Sequence, residues 1–92
     1  MPSYLKDKQN IVARLRKMQG QLKGIERMVE EDRYCVDVLN QLSSIIAATH
    51  KVAAIIMKDH IHGCVREALA DDEHSEETVN ELVSVVEQFT RK

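Results

Sequence analysis

The stretch from Arg33 to about Leu69 contains no proline and a single glycine, Gly63. Within it Leu39, Leu42, Ile46, Thr49, Ala53 and Ile56 recur at steps of three and four, the spacing of one face of an α-helix. The pattern predicts one very long helix, softened near Gly63, that runs roughly 50 Å at 1.5 Å per residue. A chain of 92 residues cannot cover such a helix on its own. A helical oligomer is therefore expected, in which the long helix packs against its own copy.

The flanking segments fit an all-α, three-helix protomer. Leu15, Met18, Leu22, Ile25 and Val29 form an apolar stripe, which predicts a first helix from about Leu5 to Glu30. Gly20 and Gly24 lie four apart inside it; each costs up to about 1 kcal/mol against alanine. A close helix crossing is one reason for them, a tolerated surface position the other. Glu30, Glu31 and Asp32 form a charged break, with Asp32 expected to cap the long helix. Ala70 to Ser75 reads as an acidic loop. Ser75, Glu76, Glu77 and Thr78 then start a short third helix, whose inner stripe is Val79, Leu82, Val83 and Val86 and whose end falls near Phe89.

Three aromatics, one proline and three glycines are too few for a β-sandwich, a barrel or a disulfide-stapled mini-protein. Residues 1–92 are expected to form one domain. No apolar run is long enough to span a membrane and no secretory signal is evident, so a cytoplasmic protein is expected. The sequence carries no Gly-rich phosphate loop, no HExxH and no Ser/His/Asp grouping, and an enzyme is not expected.

Charge is segregated behind a formal net of −2. Residues 1–28 hold Lys6, Lys8, Arg14, Arg16, Lys17, Lys23 and Arg27 against Asp7 and Glu26, a net of +5. Residues 67–88 hold eight acids and no Lys or Arg, a net of −8. Such asymmetry suits a basic face for an anionic partner, with the acidic end kept away from it. On charge alone, a merely solvated helix face is the slightly better explanation.

The chemistry lies in Cys35, His60 and Cys64. Taken singly, each cysteine reads as a small buried hydrophobe, and a structural disulfide is not expected in a reducing compartment. His60 and Cys64, four residues apart, project from one helix face, where an imidazole and a thiolate can grip one metal ion. Cys35 precedes His60 on the same helix by about 37 Å of rise, so one chain cannot unite the three. An antiparallel pair of long helices can, with Cys35 of one chain beside His60 and Cys64 of the other. Two thiolates and one imidazole form a soft, low-coordinate set that suits Cu(I), whereas tetrahedral zinc wants a fourth ligand. His62 points to another face, and His50 and His74 read as ordinary polar residues.

The segment Asp32-Arg33-Tyr34-Cys35-Val36-Asp37-Val38-Leu39, with His60-Ile61-His62-Gly63-Cys64, resembles the copper-sensitive operon repressors (CsoR). The similarity runs from Arg14-Leu15 through Asn80-Glu81-Leu82. The resemblance implies an all-helical dimer of antiparallel dimers, a homotetramer, that binds double-stranded operator DNA without a helix-turn-helix. It implies that Cu(I) weakens DNA binding and so releases transcription of copper-export genes. Position by position it gives Cys35, His60 and Cys64 as metal ligands. Tyr34 and Glu81 match the residues that hold the imidazole and couple the filled site to the third helix; the Glu81 match requires one extra residue in the preceding acidic loop. Arg14 and Lys51 match basic positions implicated in DNA binding, to which the basic stripe adds Arg16, Lys17 and Lys23. Several phosphate contacts would make binding steeply salt-dependent.

Sister branches of that fold sense other signals. Ser3 and Cys64 stand where a nickel or cobalt sensor would be expected to carry histidines. A persulfide sensor would use Cys35 and Cys64 without His60. A formaldehyde sensor would use Pro2 and Cys35 but lacks a cysteine at the position of Cys64. A copper carrier with no DNA role would have no use for the basic first helix.

Overall fold

The computed structural model describes residues 2–90, except for the side chain of Asp72. Three α-helices follow one another: α1 (Lys8–Glu30), α2 (Cys35–Ala70) and α3 (Ser75–Thr90). Short 3-10 turns precede α1 (Ser3–Asp7) and α3 (Asp72–His74). The first helix therefore begins three residues later than the apolar stripe suggested, because Ser3–Asp7 winds as a tighter turn laid against α2.

α1 ends on a specific backbone device. Asp32 takes a left-handed conformation, with φ 56°. Its N–H donates to the Val29 carbonyl at 3.1 Å, and the Arg33 N–H donates to the Met28 carbonyl at 2.9 Å. These two bonds form a Schellman termination, which satisfies carbonyls left open by the helix end. Asp32 thus closes α1 instead of capping α2. Tyr34 stands at the N-cap of α2 and makes no side-chain cap bond. Aspartate is one of the few non-glycine residues that enter the left-handed region at modest cost.

α2 is continuous through Gly63 for 36 residues, about 54 Å of rise. α1 and α3 each pack on α2 and not on each other. The molecule measures 59 × 29 × 13 Å, and its thin dimension is little more than one helix diameter. A single layer cannot enclose a core, since stable domains bury elements between two layers. Among the described apolar side chains only Ile11, Ile25, Val52 and Cys64 are buried. Leu39 and Ile46 remain 59% and 58% exposed. The accessible surface of 7480 Å² compares with about 5,400 Å² for a compact monomer of this mass.

The two glycines of α1 are not a crossing point within the protomer, because nothing approaches Gly20 or Gly24 within 4 Å. The close approach occurs at Gly63, where a Cβ would collide with the Ser3 side chain. Gly63 is therefore a seat for the N-terminal turn, and the helix does not soften there.

Candidate metal centre

Near the C-terminal end of α2, one helical turn separates His60 from Cys64, and their side chains meet. Cys64 Sγ lies 3.4 Å from His60 Nε2. Cys64 is buried and His60 half-buried. At ordinary bond lengths, a metal shared by a thiolate and an imidazole holds the two donor atoms about 3.5–4 Å apart. The pair thus needs to open by only a few tenths of an ångström, and its soft donors fit Cu(I). Burial pushes the Cys64 thiol above its ordinary value, and the negative charges of Glu81 and Glu67 add to the effect. The free thiol accordingly keeps its proton at neutral pH, and a bound metal must displace it.

Cys35 is the first residue of α2, exposed, with a free thiol. The 25 positions from 35 to 60 amount to about seven helical turns. Cys35 therefore projects from the same side of α2 as the His60–Cys64 pair, at the opposite end of the rod. Leu39, Leu42 and Ile46, exposed on that side, lie between them. Within one protomer the three proposed ligands are not brought together.

Tyr34 is 67% exposed beside Cys35. Glu81 reaches the centre from α3, close enough for its charge to act on Cys64. Among the described contacts it makes no hydrogen bond to His60, whose ring meets Cys64 instead. His62 and His50 are exposed on α2. His74 Nδ1 lies 2.8 Å from Asp71 Oδ2, so this histidine does have a carboxylate partner. Asp71, Glu73 and His74 form an exposed local cluster of potential ligands at the start of α3, unconnected with the cysteines.

The basic residues lie mainly on α1. Arg16 and Lys23 are exposed and seven residues apart, on one face; Lys17 is exposed and points elsewhere. Arg14 is half-buried, and its Nε donates to Asn10 Oδ1 at 3.1 Å. Lys51 is exposed on α2.

Asp59, immediately before His60, is 1% exposed. Lys6 of the N-terminal turn approaches its Oδ1 at 3.5 Å, while Oδ2 finds no hydrogen-bond partner. Asp7 lies against the same carboxylate. Hydrogen bonding to Asp59 is the main cause that raises the Asp7 carboxyl above the usual range, with desolvation and the Asp59 charge adding to it. The sequence did hold a signal for this arrangement. Asp59 occupies the stripe of Val52, Ile56 and Gly63, where an apolar residue would be expected.

Fold and site together fall in the class of small all-helical proteins that carry a contacting His–Cys pair on a long central helix. The chain belongs to the metal-sensitive transcriptional repressor family, whose model matches residues 7–88. It is 43% identical over 86 residues to the copper-sensing transcriptional repressor CsoR of Bacillus subtilis strain 168, covering 94% of this chain and 84% of that protein. The copper-sensing repressor CsoR with Cu(I) from Geobacillus thermodenitrificans NG80-2 superposes with a TM-score of 0.82 at 36% identity, over 94% of this chain and 88% of that one. The nickel-responsive transcriptional regulator InrS superposes with a TM-score of 0.80 at 33% identity, over 88% of this chain and 90% of its own. Among the described residues no helix is long and apolar enough to cross a membrane.

Proposed function

We propose that this protein is a Cu(I)-responsive repressor that binds operator DNA when metal-free and releases it when Cu(I) fills a site shared between two chains. The observation that carries the reading is the juxtaposed His60–Cys64 pair at 3.4 Å, with the exposed Cys35 seven turns away on the same side of α2. Antiparallel pairing of α2 with its copy would bring Cys35 of one chain to His60 and Cys64 of the other. The same pairing would cover Leu39 and Ile46 and supply the second layer that the protomer lacks. Two such dimers would form the tetramer.

In this reading Cys35 and Cys64 bind as thiolates and His60 as a neutral imidazole, a donor set that favours Cu(I) over harder ions. Ser3 and Cys64 stand where a nickel sensor would be expected to carry histidines, which supports the copper reading over the nickel one. Tyr34 and Glu81 orient the ligands, and Glu81 links the filled site to α3 through its charge on Cys64. Arg14, Arg16, Lys17, Lys23 and Lys51 contact DNA phosphates. Cu(I) acts by preferring the state with low DNA affinity; a coupling of about 1–3 kcal/mol is the usual range for such linkage. The setting is cytoplasmic, and the regulated genes are those of copper export.

A second reading has one observation in its favour. Pro2 lines the same groove as His60, to which the partner's Cys35 would also come in the antiparallel pairing, so formaldehyde would join a free Pro2 amine to that thiol through one methylene, with loss of water. An anaerobic Cu(I) titration against a competing chelator, read together with fluorescence anisotropy of labelled duplex DNA, separates the two. One tight Cu(I) per chain with simultaneous DNA release supports the copper sensor. Absence of tight Cu(I) binding, with release by formaldehyde or a persulfide donor, overturns it.

A further inference from the structure

The N-terminal turn packs on α2, and two of its contacts adjoin proposed metal ligands. Lys6 is ion-paired with Asp59 at 3.5 Å, and Asp59 is the neighbour of His60. Ser3 is seated on Gly63, and Gly63 is the neighbour of Cys64. Asp59 and Gly63 are four residues apart, as are His60 and Cys64, so one turn of α2 presents its ligands on one face and the seats of the turn on the next. Pro2, Ser3, Tyr4 and His60 also line one groove. The turn then runs directly into Lys8, the first residue of α1, the helix that carries the exposed cations Arg16, Lys17, Lys23 and Arg27.

We propose that Lys6 and Asp59 are positioning residues that couple the metal pair to the DNA-facing helix α1, through the N-terminal turn pinned across residues 59–63. The inference rests on the copper-repressor reading and adds a second route beside the one through Glu81 and α3. A helix is stiff, so a displacement that sets His60 and Cys64 on a metal also displaces Asp59 and Gly63. The Asp59 carboxylate is buried, approached by the Lys6 ammonium at Oδ1 and by the Asp7 carboxyl, and Lys6 is the cation it is paired with. A buried carboxylate is costly to separate from its cation. Lys6 is therefore carried with it, and the start of α1 with Lys6. Lys6 is itself 60% exposed, so its ammonium is not needed to fill a core, and it serves to register two elements.

The test measures affinity for a labelled DNA duplex, selected from a randomised pool by the metal-free wild-type protein, with and without Cu(I), at two salt concentrations. Lys6→Met is expected to bind Cu(I) as the wild type does but to reduce the ratio of metal-free to Cu(I)-loaded DNA affinity by about tenfold, the scale of one ordinary coupling term. Lys6→Arg, which keeps the cation, is expected to restore the ratio. Asp59→Asn is expected to lower the ratio with the salt dependence unchanged, because an acid makes no phosphate contact; if that variant fails to fold, the two Lys6 variants decide the matter. If Lys6 is only a phosphate contact, Lys6→Met weakens both states equally, leaves the ratio intact and lowers the salt slope by about one. That result overturns the inference and spares the copper reading. A wild-type protein whose DNA affinity ignores Cu(I) overturns both.

Discussion

Ile46 offers a direct test of the idea that the protomer is half of a structure. It lies midway along the exposed side of α2 and is 58% exposed. Full burial of an isoleucine side chain is worth about 1.5–3 kcal/mol, so covering the exposed part contributes about 1–2 kcal/mol per chain. A two-fold interface buries the residue twice, which makes about 2–4 kcal/mol per dimer. Ile46→Ala should therefore weaken dimerisation by about 30- to 1,000-fold, since each 1.4 kcal/mol is a factor of ten. Sedimentation equilibrium over a wide concentration range measures the change, and circular dichroism at high concentration checks that the variant remains helical. An unchanged association constant, or a wild-type protein that sediments as a compact monomer, would mean that α2 is not covered by its own copy. The area supports the same expectation: the excess over a compact monomer, about 2,000 Å², exceeds the roughly 800 Å² that each partner buries in a standard interface.

Asp32→Gly should stabilise the fold by about 0.5–1 kcal/mol, because glycine enters the left-handed region of the α1 termination without penalty; a lower thermal midpoint would contradict that assignment. The Asp7 carboxyl is raised in the folded state, so its contribution is fully present below its unfolded value and is lost as pH rises through the folded one. Asp7→Asn keeps a hydrogen-bond donor toward Asp59 at every pH. It should therefore shift the thermal midpoint more favourably at pH 7 than at pH 4, and equal shifts would remove Asp7 from that contact. Arg16→Ala and Lys23→Ala, on one exposed face of α1, should each weaken binding to any duplex and lower the salt slope by about one; an unchanged slope would take that face off the DNA.

Much of this architecture is legible in the sequence because helical periodicity is local and rigid. The stripes of Leu15 to Val29 and Leu39 to Ile56 locate α1 and α2, and a fixed rise per residue is enough to separate Cys35 from His60 beyond the reach of one chain. The His60–Cys64 contact follows from the same geometry. What the sequence hides depends on backbone state and on pairings distant in the chain. Asp32 has the composition of a helix cap, and only its positive φ reveals a terminator. Gly63 looks like a weak point in a helix until Ser3 is found seated on it. Lys6 and Asp59 lie at nearly opposite ends of the first two-thirds of the chain, and neither residue names its partner. The glycines of α1 show the converse: Gly20 and Gly24 suggest a crossing that the protomer does not contain.

A metal centre divided between two chains can be restored by subunit complementation. Cys35→Ala and Cys64→Ala chains each lack a ligand, so neither homodimer can build a complete centre. Unfolded together and refolded as a mixture, they form heterodimers in which Cys35 of the Cys64→Ala chain meets His60 and Cys64 of the Cys35→Ala chain. Anaerobic titration of the isolated heterodimer against a competing chelator should recover one tight Cu(I) per two chains, where each homodimer binds none tightly. A heterodimer no better than its parents, or a Cys35→Ala homodimer that keeps full Cu(I) affinity, would contradict the shared centre.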